Sequence, residues 1–121
     1  MRFQLRPPRL RLSENHVEKA CLDLLRLRGY WVVRQHAGRA QYKDGTWTHL
    51  GDKGLPDYAT VHAKYPGFLL ECKAPGKHLS DAQLIKISEI YQGYRLAICV
   101  ADSVESMLQW LNEHEARSKG P

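Results

Sequence analysis

Residues 68–73 read Phe-Leu-Leu-Glu-Cys-Lys, and this stretch decides how the chain is interpreted. Side chains alternate across a β-strand, so Glu71 and Lys73 share one face and lie roughly 6–7 Å apart. A carboxylate and an ammonium at the end of an apolar strand are costly to desolvate unless they have a use. The stretch therefore predicts a strand that ends in a functional pair. The alternative is an exposed ion pair of small energetic value.

A second carboxylate is expected at the same end of the sheet. Pro56-Asp57 opens the preceding predicted strand, 57–62, after a loop that contains two glycines. If the two strands pair antiparallel, Asp57 at the start of one lies near Glu71 at the end of the other. Two carboxylates and Lys73 then converge, although Asp57 taken alone after a proline is also a common turn residue.

This combination of side chains favours metal-assisted hydrolysis of phosphodiesters. Carboxylate oxygens suit a hard cation such as Mg²⁺, which takes few protein ligands and keeps several waters. Such a metal polarises a phosphate oxygen and lowers the pKa of a bound water. Lys73 could orient that water and stabilise the negative charge that grows on the phosphate. Asp57, Glu71 and Lys73 are therefore the predicted catalytic residues.

Hydrophobic periodicity along the rest of the chain predicts an α/β fold with a mixed sheet flanked by helices. The predicted elements are a helix from Ser13 to about Arg28, a strand at 30–35, a short hairpin at 39–50, strands at 57–62 and 68–73, a helix from Asp81 to about Tyr91, a strand at 94–100 and a helix from Ser103 to about Ala116. The second helix is expected to turn Leu84, Ile87 and Tyr91 inward. The last is expected to turn Val104, Met107, Leu108 and Leu111 inward.

Charge and length indicate one domain with a polyanionic partner. The chain has 121 residues and a formal net charge of +5. We divide it into a basic arm at 1–12, a single domain at 13–116 and a tail at 117–121. Basic arms often neutralise nucleic-acid phosphates, although a solvated tail is equally consistent with this one. The candidate phosphate-binding residues are Arg6, Arg9 and Arg11 on the arm, and Arg34, Lys53 and Lys77 in the domain.

Several classes of function are disfavoured. Three cysteines without a C-x-x-C pair, and six histidines without metal-ligand spacing, make a zinc site a poor hypothesis. No phosphate-binding loop or G-x-G-x-x-G motif is present, so no nucleotide cofactor is expected. The longest apolar stretch, Leu96 to Ala101, is too short to span a membrane, and no signal peptide is visible. The protein is therefore expected in the cytoplasm, away from membranes.

The ordered motifs resemble those of a known nuclease superfamily. Gly54-x-Pro56-Asp57 followed by Glu71-x-Lys73 is similar to the core of the PD-(D/E)XK nucleases. Within that superfamily the chain resembles the VRR-NUC (virus-type replication-repair nuclease) family, from Ser13 to about Val100. The likeness also includes Glu14 at the start of the first helix, Leu25-x-x-Arg28-Gly29, Arg34-x-x-x-Gly38 and Leu79-Ser80-x-x-Gln83.

The resemblance implies a restriction-endonuclease-like α-β-β-β-α-β core and a specific set of roles. Asp57, Glu71 and the backbone carbonyl of Cys72 would be metal ligands. Lys73 would be the catalytic lysine, with Glu14 and Gln83 as supporting residues. The implied cofactor is Mg²⁺, with Mn²⁺ expected to substitute. The implied substrate is DNA, especially branched or Holliday-junction-like DNA, and the implied assembly is a homodimer.

Some alternatives stay open at this stage. Position 18 carries Glu where the family often has Gln, so Glu14 and Glu18 are both candidates for the acid on the first helix, and the motif favours Glu14. Glu14 could instead be a first-turn acid that complements the helix dipole. Ser80-x-x-Gln83 also fits a capping box. A non-catalytic DNA-binding module on the same fold, or an enzyme acting on RNA, would share the same charge pattern.

Overall fold

A computed structural model of the chain describes residues 13–35, 39–41, 43–45, 47–49 and 54–118, with only the backbone described at 39–41 and 47–49. The elements are α1 (Glu14–Leu27), β1 (Trp31–Arg34), β2 (Arg39–Gln41), β3 (Trp47–His49), β4 (Tyr58–Val61), β5 (Leu69–Cys72), α2 (Asp81–Tyr94), β6 (Ile98–Ala101) and α3 (Val104–Ser118). Their types and order agree with the predicted ones. Over these residues, no helix combines the length and apolar character needed to cross a membrane.

The first helix begins and ends at the residues that its sequence predicts. Ser13 is the N-cap: its hydroxyl accepts a hydrogen bond from the backbone N–H of His16 at 3.3 Å. In return, Nδ1 of His16 accepts one from the backbone N–H of Ser13 at 3.2 Å. The helix ends at Leu27, and Gly29 turns the chain with φ +88°, a conformation that glycine adopts without steric cost. The fully buried side chains of α1 are Val17, Cys21 and Leu25.

The strands form one mixed sheet and one separate hairpin. The four-stranded sheet has the order β1-β4-β5-β6, in which β5 and β6 are parallel and the other neighbours are antiparallel. Tyr58 pairs with Leu70 across β4 and β5, and Glu71 lies beside Val100 across β5 and β6. Strands β2 and β3 form the predicted short hairpin. The α/β class and the mixed sheet are therefore confirmed.

The two faces of the sheet have different coverings. Alternate residues of β5, Leu70 and Cys72, are buried in a core with side chains of α1 and α3. Glu71 projects from the opposite face, where Gln83 of α2 contacts it. Cys21, Cys72 and Cys99 are all free thiols buried in this core. This layering leaves α2 on the face of the sheet that carries Glu71.

The second helix is longer than predicted. Its end was expected near Tyr91 because Gly93 follows, but α2 continues through Gly93 to Tyr94. A glycine inside a helix costs only about 1 kcal/mol relative to alanine, which is too little to end a helix by itself. The observed stop is Arg95, which adopts the left-handed conformation with φ 56° and donates its backbone N–H to the carbonyl of Tyr91 at 3.0 Å.

The predicted inward face of α2 is wrong at Leu84 and Tyr91, whereas Ile87, the third residue predicted to point inward, is partly buried. Leu84 and Tyr91 are 51% and 57% exposed, whereas Ile90 is the buried residue of this helix. The helix has apolar side chains around much of its circumference, so its periodicity does not define a single inner stripe. The contact of Gln83 with Glu71 selects the side that carries Ile90.

The terminal helix shows a smaller deviation. Met107 and Leu111 are fully buried, as predicted, and Val104 is partly buried. Leu108, which was also predicted to point inward, is 41% exposed because it lies one position beyond the stripe that faces the sheet. The helix continues to Ser118, two residues beyond its predicted end near Ala116.

Candidate active site

Three carboxylates from three separate elements meet at one end of the four-stranded sheet. Glu14 is the first residue of α1, Asp57 immediately precedes β4, and Glu71 lies in β5. One ligand oxygen from each lies within 4.8 Å of the other two. The antiparallel pairing of β4 with β5 places the start of the first strand beside the end of the second, as the sequence pattern predicts. We call these three residues the carboxylate cluster.

Glu71 is the buried centre of the carboxylate cluster. Glu71 is 2% exposed, and three groups among the described residues contact its two oxygens. The side-chain amide of Gln83 donates to Oε1 at 2.7 Å, and the backbone N–H of Asp57 donates to Oε2 at 3.2 Å. Nζ of Lys73 lies 3.7 Å from Oε1. These contacts hold the carboxylate in one orientation at the sheet end.

The carboxylate cluster brings several acidic groups together where water is largely excluded, which raises the pKa values of Glu71 and Asp57. Burial and, next, the Asp57 carboxylate raise the pKa of Glu71 to about 7, against the lowering effects of Lys73 and of the Asp57 backbone N–H. The pKa of Asp57 is also raised, first by burial and then by Glu14, against the lowering effect of Lys73 and Arg34. Additional positive charge at this position would stabilise both ionised carboxylates.

Lys73 and Cys72 are placed by the strand that carries Glu71. The backbone N–H of Lys73 donates to the carbonyl of Ala101 at 2.9 Å, which fixes the start of its side chain beside β6. Its ammonium is partly exposed and can reach outward from Glu71. The side chain of Cys72 is fully buried in the core, so the group that Cys72 can offer on the side of the cluster is its backbone carbonyl.

Gln83 makes both of the contacts that its sequence suggested as alternatives. Its Oε1 accepts the backbone N–H of Ser80 at 2.9 Å, and the Ser80 hydroxyl accepts the backbone N–H of Gln83 at 3.2 Å. This reciprocal pair is the capping box of α2. The same side chain donates through Nε2 to Glu71. One residue therefore fixes both the start of the helix and the orientation of the buried carboxylate.

Two alanine variants separate these two contacts. Ser80→Ala removes a capping acceptor and is expected to lower the free energy of unfolding by about 1 kcal/mol while leaving Glu71 oriented. Gln83→Ala is expected to cost a similar amount and also to raise the pKa of Glu71, because a hydrogen bond to its ionised form is lost. The midpoint of the Glu71 carboxyl titration, followed by NMR in the absence of metal, should therefore rise in Gln83→Ala alone. An equal midpoint in both variants would contradict the orienting contact.

The geometry favours Glu14 over Glu18 as the acid from α1. The capping box of this helix is formed by Ser13 and His16, so the side chain of Glu14 is not used for capping. Glu18 lies outside the carboxylate cluster, one helical turn further along. Its pKa is nevertheless raised by burial and by its acidic neighbours, and lowered by Arg34. Glu18 is therefore an acid that flanks the cluster, and Arg34 is near enough to lower the pKa of both Glu18 and Asp57.

A cavity of about 290 Å³ with a basic wall adjoins the carboxylate cluster. Glu14 forms one side of it, and Lys73, Ala74, Lys77 and His78 form the others. Lys77 was predicted from sequence, whereas His78 and Ala74 were missed. The signal for them was the turn that Pro75-Gly76 imposes, in which the backbone N–H of Lys77 donates to the carbonyl of Ala74 at 3.0 Å. Arg34 flanks the cluster near Asp57.

Not every predicted site residue can be placed. Lys53 and the arm residues Arg6, Arg9 and Arg11 lie outside the described residues. Their proposed contacts with phosphates stay predictions. Of the predicted catalytic set, the structure brings together Asp57, Glu71, Lys73, Glu14 and Gln83.

Gly54 couples the loop before Asp57 to the start of α2. It has φ +83°, and a Cβ atom built on it would lie 2.4 Å from the carbonyl oxygen of Ala82 and 3.0 Å from the backbone N of Gln83. Backbone therefore passes against backbone at this point, and any side chain would separate the two segments. The glycine of the Gly-x-Pro-Asp motif has a packing role that only the folded chain reveals.

The fold and the site define an α/β protein that carries a candidate divalent-cation site at one end of a mixed sheet. No protein-family model matches the chain, and no curated protein has a similar sequence. The assignment of a function therefore depends on the geometry of the described residues and on their order along the chain.

Proposed function

We propose that this protein is a Mg²⁺-dependent nuclease that hydrolyses phosphodiester bonds in DNA. The observation that carries the proposal is the meeting of Asp57 and Glu71 with Lys73 at one sheet end, where Glu71 is almost fully buried yet ionisable. A buried carboxylate without a function is costly, because its desolvation must be offset by partners. Here Lys73 is the single side-chain cation that contacts Glu71 among the described residues.

The residues of the carboxylate cluster fit a hard divalent cation. All three donors are carboxylate oxygens, the ligand type that Mg²⁺ and Mn²⁺ prefer over nitrogen or sulfur. Two oxygens bound to one Mg²⁺ at about 2.1 Å lie at most about 4.2 Å apart. The three ligand oxygens lie within 4.8 Å of one another, which is only slightly more than this limit. Small side-chain rotations would therefore bring all three within bonding distance of one ion. The raised pKa values of Asp57 and Glu71 have the sign expected for a site that lacks positive charge.

The roles of the side chains follow from their positions. A bound Mg²⁺ would polarise the scissile phosphate and lower the pKa of a coordinated water. Gln83 and the backbone N–H of Asp57 keep the Glu71 carboxylate facing the site, which reduces the rearrangement needed to bind substrate. The ammonium of Lys73 can donate a hydrogen bond to a phosphate oxygen on which charge develops. The backbone carbonyl of Cys72 is proposed as a further ligand.

Membership of the VRR-NUC family, which the sequence resembles, is part of this proposal. Of the motifs that resemble the VRR-NUC nucleases, those that contain Glu14, Asp57, Glu71, Lys73 and Gln83 meet at the carboxylate cluster. Leu25-x-x-Arg28-Gly29 lies at the other end of α1. The restriction-endonuclease-like arrangement of the fold is likewise proposed, on the basis of the mixed sheet and the placement of the acids at its end. The expectation of branched DNA as substrate and of a homodimer comes with this resemblance.

Positive charge beside the carboxylate cluster supports a nucleic-acid substrate. Lys77 and His78 line the 290 Å³ cavity next to Glu14, so a phosphate adjacent to the scissile one could be held there. Arg34 provides a further cation near Asp57. The net charge of +5 favours approach to a polyanion in general.

Lys77→Gln is expected to weaken DNA binding and to reduce its dependence on salt. Loss of one phosphate contact should lower the slope of log affinity against log salt concentration by about 0.9 for duplex DNA. The measurement is fluorescence anisotropy with Ca²⁺ in place of Mg²⁺, a condition chosen to limit turnover. Lys64→Gln is the matched control, because Lys64 is also exposed but lies in the turn at the other end of β4. An unchanged slope in Lys77→Gln would remove Lys77 from the interface.

The decisive experiment is cleavage of labelled four-way-junction, flap and linear duplex DNA in Mg²⁺, Mn²⁺ or EDTA. Metal-dependent cutting by the wild type, lost in Lys73→Ala, is the expected result and would rank the substrates. An RNA version of each substrate tests whether the sugar is discriminated. DNA binding without cutting under any metal would contradict the proposal and favour a non-catalytic DNA-binding module on the same fold.

A further inference from the structure

One edge of the four-stranded sheet is formed by β6, and no strand among the described residues pairs with its outer side. On its inner side β6 pairs with β5, and the backbone N–H of Lys73 donates to the carbonyl of Ala101 at 2.9 Å. Backbone groups of alternate residues point to opposite edges of a strand, so those of Ile98 and Val100 point away from β5. The outer edge therefore offers N–H and C=O groups to another extended chain.

The outer edge of β6 is recessed between two helices. It borders a groove of about 510 Å³, with Ile98 at the floor, Tyr91 of α2 on one wall and Trp110 of α3 on the other. Because α2 and α3 cover opposite faces of the sheet, a strand added to β6 would be covered on both of its faces. A single extended chain fits such a recess, whereas another folded sheet would bring its own helices against these walls.

The groove is basic at the end where β6 begins. Arg95 lies in the connection from α2 to β6, and Arg117 lies in the last turn of α3, which runs back along the sheet after β6. Among the described residues that line the groove there is no aspartate or glutamate. No described acidic side chain forms an ion pair with either guanidinium. Two guanidinium groups at one end of an otherwise apolar groove favour a carboxylate at that position.

We propose that this groove binds an extended acidic segment of another protein. The segment adds a fifth strand to the sheet by pairing its backbone with Ile98 and Val100. Its side chains point alternately towards α2 and α3, and those that contact the two walls are apolar. One aspartate or glutamate of the segment lies against Arg95 and Arg117. This binding site is separate from the carboxylate cluster and does not depend on the proposed nuclease activity.

Two other occupants agree less well with the groove. The basic arm of this chain carries four arginines before the first acidic residue, Glu14, so it has no carboxylate to place at the basic end. Duplex DNA would use the two arginines but not the free backbone edge or the apolar walls, and it is too wide to enter the recess. An acidic peptide uses all three features.

The first test selects peptides from a random display library on the immobilised full chain, in EDTA and without DNA. The wild type is expected to select segments in which apolar residues alternate and an aspartate or glutamate recurs at a fixed distance from them. The double variant Arg95→Asp, Arg117→Glu should select lysine or arginine at that position instead. Aspartate tolerates the left-handed conformation of position 95. An unchanged preference would mean that the two arginines only complement the C-terminal ends of the helices, and would overturn the proposal.

The affinity of the selected peptide gives the size of the effect. In fluorescence anisotropy, the double variant should bind the labelled wild-type peptide roughly tenfold or more weakly. Arg26→Glu is the matched control, because Arg26 is exposed on α1 and does not line the groove. It should leave the affinity unchanged. Loss of DNA affinity in the double variant without loss of peptide affinity would assign the two arginines to a DNA interface and overturn the proposal.

Backbone pairing is tested on the wild-type protein alone. N-methyl groups introduced at successive residues of the selected peptide should abolish binding at alternate positions, because only every second N–H group of the segment points to β6. Selection of no common motif, or binding that tolerates N-methylation at every position, would each overturn the proposal. Since neither metal nor DNA is present, these results are independent of whether the protein cleaves DNA.

Discussion

Glu71→Gln is expected to abolish cleavage and, at the same time, to make the metal-free protein more stable above neutral pH. Glutamine has nearly the same shape, and its amide oxygen can still accept from the side-chain amide of Gln83, although the hydrogen bond from the Asp57 backbone N–H is lost. It carries no charge to neutralise a divalent cation. Loss of metal-assisted stabilisation of several kcal/mol corresponds to a rate reduction of about a thousandfold or more.

The gain in stability follows from the raised pKa of Glu71. Burial and Asp57 raise this pKa from 4.5 to about 7 in the folded protein. Between these two values the folded chain keeps a proton that the unfolded chain has released, so unfolding becomes easier as pH rises. The stabilising effect of the protonated carboxyl is complete below about 4.5 and is lost as pH passes through 7. Glutamine removes this loss, worth roughly 3 kcal/mol at most, and the unpaired Asp57 backbone N–H offsets part of the gain.

The cleavage assay measures the first part of this prediction, and urea unfolding in EDTA at pH 5 and at pH 8 measures the second. The variant should gain stability relative to the wild type mainly at pH 8, while the difference at pH 5 should be small. Glu113→Gln is a suitable control, because Glu113 is exposed on α3 and away from the carboxylate cluster. A Glu71→Gln protein that is less stable than the wild type at pH 8 would show that the ionised carboxylate stabilises the fold even without metal.

The convergence of Asp57 and Glu71 could be predicted from sequence because it depends on short-range rules. Side chains alternate along a strand, and two neighbouring strands joined by a connection as short as residues 62–68 pair antiparallel. Together these rules determine which residues of the two strands meet, and the observed register of Tyr58 with Leu70 agrees with them. The helix caps at Ser13 and Ser80 were also predictable, since each cap is formed within four residues.

The packing of α2 could not be predicted in this way. Leu84 and Tyr91 lie on a reasonable apolar stripe, yet both are exposed, because the position of the helix depends on contacts with distant parts of the chain. One of these is the hydrogen bond from Gln83 to Glu71, twelve residues away. Local sequence preference identifies Gln83 as a capping residue, but it does not indicate which distant group its side-chain N–H donates to.

The close approach of Gly54 to α2 is the second such contact, and Gly54→Ala is expected to be severe. The new Cβ would lie 2.4 Å from the carbonyl oxygen and 2.7 Å from the carbonyl carbon of Ala82. The helix start cannot easily move, since Ser80 and Gln83 hold it through the capping box. Steric displacement together with strain at φ +83° should lower the free energy of unfolding by about 2–4 kcal/mol.

Gly76→Ala separates the steric part of this effect from the conformational part. Gly76 has a similar φ of +78°, but no described atom lies within 4 Å of the position that its Cβ would occupy. Alanine there should cost only about 1–2 kcal/mol of strain. Gly54→Ala should also reduce cleavage more than its stability loss explains, because displacement of the loop moves Asp57 away from Glu71 and Gln83. Equal losses of stability and activity in the two variants, measured by urea unfolding and junction cleavage, would mean that the Gly54–Ala82 contact does not position the carboxylate cluster.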